Sequence, residues 1–126
     1  MVASTQHDLK YIPVRGDVVK ISFDPQAGKE IWGNPRPALV LSPYEFNRLK
    51  GVAIVCPITR TNRGDPFEVE IPEGLDVCGV IRADQVKSLD WQVRKAEFLC
   101  SMPPQTVWDT ADIVHALIWA VAEESE

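Results

Sequence analysis

Metal ligands are scarce in this sequence of 126 residues, which holds two histidines and three cysteines. His7 and His115 lie far apart, and neither has a Cys or His partner at ligand spacing, so no metal site is expected. Cys56, Cys78 and Cys100 form no Cys-x-x-Cys pair and are too few for a disulfide framework; free thiols in a cytoplasmic core are the expectation. No apolar run approaches the ~18 to 20 residues that span a bilayer. The opening stretch Met1–Lys10 is polar, without the apolar core of a secretory signal. A phosphate-cradling Gly-rich motif and a Gly-x-Ser-x-Gly elbow are also absent, which argues against nucleotide-binding and acyl-transfer enzymes. Positive charge is missing from Phe98 onward, where Asp109, Asp112, Glu123, Glu124 and Glu126 stand alone. They account for the formal charge of −5, because the 13 acids and 13 bases before them cancel. A neutral body leaves room for a local basic patch, with Arg36, Arg60, Arg63, Arg82, Lys87, Arg94 and Lys95 as candidates.

Against these absences, the sequence has ten prolines and a series of short apolar runs. A single domain over residues 1–126 is expected. Residues 1–13 read as a flexible polar tail. Val18–Phe23 alternates, with Val19, Ile21 and Phe23 on a core face and Val18, Lys20 and Ser22 on a wet one. Asp24–Pro35 is a loop holding Lys29, Glu30 and Trp32. Ala38–Leu41 is an apolar strand, and Pro43–Leu49 is a short helical turn with Ser42 as its cap. Val52–Ile58 is a buried strand whose Pro57 should mark its end or an irregularity. Strands follow at Phe67–Ile71, Cys78–Ile81 and Asp90–Ala96, with Asp84–Ser88 as a bend or continuation. After Pro103-Pro104 a helix is expected over 104–123, with Val114, Leu117, Ile118 and Val121 on its apolar face and His115 on its flank. Trp91 and Trp108 read as core, and Trp119 as an interface residue. The order indicates a mainly β (α+β) domain, a small curled antiparallel sheet or barrel with one terminal helix.

One residue stands out within that frame. Pro35 and Pro37 flank Arg36, and each biases the residue before it toward extended backbone. Arg36 thus sits on stiffened chain between a loop and a core strand. A guanidinium held this way suits a phosphodiester. Val52–Ile58 should run beside Ala38–Leu41, which brings Thr59 near Arg36. Arg36, Thr59 and Glu30 on one rim would suffice for RNA cleavage without a metal. A surface ion pair between Arg36 and Glu30, with Thr59 merely ending a strand, remains the competing reading.

Six segments in order then resemble the MazF/PemK-type toxins of bacterial toxin–antitoxin pairs. They are Arg15–Val19; Phe23-Asp24-Pro25 with Gly28-Lys29-Glu30; Arg36–Pro43; Val55–Thr59; Gly64–Val69; and Ala83–Asp90. The resemblance covers roughly Arg15–Lys95. The loop from Gly28 to Arg36 is one residue longer than in close relatives, and Asn34-Pro35 replaces a more usual Gly-His. The resemblance implies an SH3-like barrel of antiparallel strands with a C-terminal helix. It implies a cytoplasmic homodimer that cleaves single-stranded RNA, mostly mRNA, at short specific sequences, with no cofactor or metal. Arg36 and Thr59 take the places of the family's catalytic pair, and Glu30 that of a supporting loop acid. The 2′-OH attacks the adjacent phosphate, leaving a 2′,3′-cyclic phosphate and a 5′-OH end; the general base is left open among Glu30, Arg36 and water. Trp32, Arg60, Arg63, Asp84, Gln85 and Lys87 are candidates for RNA binding. The expected partner is a small MazE-like antitoxin whose tail occupies the RNA groove. CcdB-type toxins, which trap DNA gyrase with a related barrel, are the alternative.

Overall fold

The computed structural model describes residues 10–24 and 34–120. Glu30 and Trp32 lie outside the described residues, as do residues 1–9 of the expected tail. Seven strands are present among the described residues: β1 (Asp17–Ser22), β2 (Pro35–Val40), β3 (Val52–Thr59), β4 (Glu68–Glu70), β5 (Val80–Arg82), β6 (Lys87–Asp90) and β7 (Glu97–Ser101). All pair antiparallel, in the order β4-β5-β3-β2-β1-β7, with β6 also on β3. Helix α1 (Tyr44–Lys50) joins β2 to β3, and α2 (Pro104–His115) follows β7. The expected curled sheet with a terminal helix is therefore present.

β3 is the hub. Along one edge it pairs with β2. Along the other, Val52–Val55 pair with β6 and Ile58–Thr59 with β5. Pro57 falls in the interval where one neighbour gives way to the next. A residue without an N–H is tolerated there because that stretch of edge holds no ladder bond. The strand accordingly continues through Pro57 to Thr59 instead of ending at it.

Apolar side chains fill both faces of the central strands. Val18, Leu39, Cys56, Ile58, Ile81, Met102 and Val107 make one cluster. Val19, Ile21, Ala38, Val40, Ala53, Val55, Leu89 and Trp91 make the other. This corrects the wet face expected of β1: Val18 and Ser22 are buried, and only Lys20 is exposed. A strand in mid-sheet with elements on both sides needs apolar residues at both parities.

Four further corrections concern boundaries. Ser42 does not cap α1, whose N-cap is Pro43 with no side-chain bond. The Ser42 hydroxyl instead donates to Asn47 Oδ1 and accepts the Ile54 N–H, both inside the protein. Residues 91–95 form a turn and not a strand: Asp90 Oδ1 accepts the N–H groups of Gln92 and Val93, and Lys95 adopts φ 52°. The last strand is β7, which begins only at Glu97. α2 starts at Pro104, continues as a wider π turn over Ala116–Ala120, and buries Thr106, Val107 and Thr110. Leu117 and Ile118, expected on its packed face, and Trp108 (68%), expected in the core, are exposed, as is Trp119 (71%). Trp91 is core as expected and donates its indole N–H to Asn47 O.

Candidate active site

β2 and β3 pair Ala38 with Pro57, Leu39 with Cys56 and Val40 with Val55. Continuing that register by two residues sets Arg36 opposite Thr59. Side chains alternate along strands, so both belong to the face of Ala38 and Pro57. That face carries the second apolar cluster, and Arg36 and Thr59 lie at its rim. On the outer side β1 aligns Ile21 with Arg36. On the far side of β3, β6 aligns Lys87 with Val55. Two more residues of that register bring Gln85 level with Pro57.

The strand ends enclose a cleft of about 540 Å³, lined by Phe23, Asp24, Asn34, Arg36, Pro57, Gln85, Val86 and Lys87. Phe23 extends the β1 face that buries Ile21. The Lys87 ammonium lies 5.9 Å from the centre of the Phe23 ring. Arg94 braces this wall: its Nη1 donates to Ser22 O (2.9 Å) and Asp24 O (2.8 Å) on either side of Phe23. Arg36 is exposed at the cleft, and its charge is permanent. The Thr59 Oγ1 accepts the Thr61 N–H at 3.2 Å, which leaves its own O–H to donate. One forked cation and one ammonium in an open cleft, with a hydroxyl donor on the strand position opposite the cation, suit a bound phosphodiester.

The structure thus brings Arg36, Gln85 and Lys87 to one cleft and aligns Thr59 with Arg36. It does not bring Thr59, Arg60, Arg63 or Asp84 to the lining. Arg60 and Arg63 stand in the exposed loop after β3. Asp84 lies toward the opposite face, where its charge adds to burial in raising the Cys56 thiol from 9.0 to about 12. Arg82, a candidate for the basic patch, is buried in an ion pair with Glu68. The lining residues absent from the expected set are Phe23, Asp24, Asn34, Pro57 and Val86. Phe23 and Pro57 carry a legible signal, since each continues the core-facing parity of its strand toward Arg36 and Thr59. Among the described residues no group of three or more His, Cys, Asp or Glu is placed to hold a metal.

A sequence model of PemK-like, MazF-like toxins of type II toxin–antitoxin systems matches residues 14–118. The chain belongs to this family. It is 41% identical over 96 residues to the protein named endoribonuclease toxin MazF of Escherichia coli K12, covering 76% of this chain and 85% of that one. It is 42% identical over 88 residues to the endoribonuclease toxin ChpB of the same strain, covering 66% and 74%. A crystal structure of MazF from Deinococcus radiodurans superposes with a TM-score of 0.79 at 42% identity, covering 86% of this chain and 98% of that one. A MazE–MazF complex from that organism gives 0.78 at 37%, covering 87% and 98%. As a PemK/MazF-like toxin, the chain has its cleft at strand ends within the matched region, and α2 of the family fold lies on the other side of the sheet.

Proposed function

We propose that this PemK/MazF-like toxin is an endoribonuclease that cuts single-stranded RNA without a metal and thereby blocks translation. The register that sets Thr59 opposite Arg36, itself in the cleft lining, carries the reading. The 2′-OH oxygen attacks the adjacent phosphorus while the bond to the 5′ oxygen breaks. The 2′ proton passes to a base, and the leaving oxygen takes one up. Negative charge grows on the non-bridging oxygens, where the Arg36 fork and the Thr59 O–H stabilise it. DNA lacks the attacking hydroxyl, so it is refused by the chemistry itself. Glu30, six residues before Arg36 in sequence, is our candidate base; arginine holds its proton too tightly at neutral pH. Lys87 and Phe23 offer the backbone a charge and a base a stacking surface. Trp32, four residues before Arg36 in sequence, serves the same stacking role. Gln85 presents an amide to base edges. Arg60, Arg63 and Asp84 act on nucleotides beyond the cleft.

The toxin works as a cytoplasmic homodimer and is silenced by a MazE-like antitoxin whose tail fills the same cleft. Support for such a partner comes from the MazE–MazF complexes among its structural relatives. Incubating the pure protein with a varied single-stranded RNA pool in EDTA tests the reading. Cleavage to 5′-OH ends is expected, reduced ~100- to 1,000-fold by Arg36→Ala and by Thr59→Ala. Intact RNA together with inhibition of DNA gyrase would establish the CcdB-type reading instead. Cleavage by both variants at the wild-type rate would move the chemistry elsewhere.

A further inference from the structure

Glu68 opens β4, and its partner across the β4–β5 ladder is Arg82. Their side chains are only 4% and 8% exposed and meet at 2.5 Å. The same carboxylate takes two main-chain donors from the loop after β3. Arg63 N–H reaches both oxygens at 3.2 Å, and Gly64 N–H reaches Oε1 at 3.0 Å. Asn62 Oδ1 also accepts the Gly64 N–H, and Asp65 Oδ1 accepts that of Phe67. The loop from Arg60 to Phe67 is therefore wound about one buried anion. Arg82 neutralises that anion and passes directly into the 3₁₀ turn Ala83–Gln85, which delivers Gln85 to the cleft. Ala83 N–H is tied in turn to Phe67 O.

A buried ion pair is poor evidence for stability, since matched apolar residues often serve the fold as well. Surface loops also need no buried template to close. The cost of desolvating Glu68 and Arg82 calls for another use, and the bonds to Arg63 and Gly64 indicate it. We propose that Glu68 and Arg82 are positioning residues for RNA binding. The carboxylate shapes the loop that carries Arg60 and Arg63 away from Thr59, so that these two cations meet RNA flanking the cleft. Arg82 pairs with the carboxylate, holds it in place and, being buried, is not itself available to RNA. The inference rests on the endoribonuclease reading above, and it extends the binding surface beyond the cleft lining.

The double variant Glu68→Met/Arg82→Met removes the charges together and keeps an apolar core. Glu68→Gln/Arg82→Met restores one acceptor for the loop N–H groups without a charge. With a single-site RNA, the first variant should raise KM ~10-fold or more while kcat stays within about 3-fold. The second should recover much of that loss. Amide hydrogen exchange at Arg63 and Gly64 should quicken ~10-fold or more in the first and slow again in the second. Wild-type KM and unchanged exchange in the first variant would overturn the proposal. So would a fall in kcat that tracks lost thermal stability with KM untouched, because a purely structural pair behaves that way. Wild-type protein that cuts no RNA would instead sink the endoribonuclease reading, and the exchange data would still decide whether Glu68 shapes the loop.

Discussion

Gly79 offers the sharpest test of how β5 holds Thr59. It adopts φ +114°, and a Cβ built there would lie 2.2 Å from Thr59 O, 2.9 Å from Thr59 C and 3.0 Å from Arg60 Cα. All three neighbours are backbone, so no side chain can swing aside. Gly79→Ala therefore meets two costs. The positive φ alone is worth ~1 to 3 kcal/mol for a residue with a Cβ. Relieving the contact requires β5 and the end of β3 to part by more than 1 Å, which strains the Ile58↔Ile81 and Thr59↔Val80 pairs. It also pulls on the bond from Ile71 N–H to Gly79 O. Losing one or two such bonds adds ~1 to 3 kcal/mol. A total of ~2 to 6 kcal/mol should lower Tm by roughly 8 to 24 °C in a domain of this size. Thr59 moves with its backbone, so kcat on RNA should fall further than the folded fraction explains. Thermal melts by circular dichroism and single-turnover cleavage below the melt measure the two effects. A Tm within about 2 °C of wild type, with wild-type kinetics, would refute the reasoning.

Other substitutions probe other links. Asn47 is fully buried and donates to Pro13 O and Ser42 O while accepting from Ser42. Asn47→Ala should cost ~3 to 5 kcal/mol in urea unfolding, since each stranded buried polar group costs ~1 to 3 kcal/mol. Lys87→Met should flatten the salt dependence of RNA binding, lowering the slope of log K against log salt by ~0.7; an unchanged slope would remove Lys87 from the phosphate path. The Cys56 thiol is raised to about 12, first by burial and then by Asp84. Its contribution to stability is complete below about pH 9 and lost as pH climbs from there to about 12. Burial and Asp17 push Tyr11 upward as well, so alkaline melts should show falling stability, less steeply in Cys56→Ser. A thiol reagent near pH 8 should label exposed Cys78 and spare Cys56 until the protein unfolds, as mass spectrometry would show.

The strands that carry the site were legible in sequence because their signals are local. Apolar runs marked β2 and β3, and two prolines marked the entry to Arg36. The pairing of Arg36 with Thr59 followed from adjacency and from family resemblance. What was not legible depended on partners distant in sequence. Val18 looks solvent-facing in its own strand, yet Met102 and Val107 cover it. Pro57 looks like a strand end until two different strands are seen to share that edge of β3. Ser42 sits where a helix cap belongs, but Asn47 and Ile54 claim its hydroxyl. Helical spacing in α2 predicted burial for residues beyond the reach of the sheet. At the site, Arg82 was indistinguishable from an RNA-binding arginine until Glu68 was found beside it. Asp84 and Gln85 are neighbours in sequence, but a 3₁₀ turn sends only Gln85 to the cleft.

The pairing of β1 with β7 joins residues about 80 positions apart, Val18 with Cys100 and Asp17 with Ser101. The residue after β1, Phe23, lines the cleft, and among the described residues the outer edge of β1 is closed by β7 and by Arg94 just before it. Contacts of such separation form late and slowly. During synthesis, then, a ribosome that has already made Arg36 and Thr59 carries a chain whose cleft wall is paired with β2 on its inner edge but open on its outer one. The cleft wall would therefore be closed on both edges only after the last of the described strands, β7, has left the ribosome.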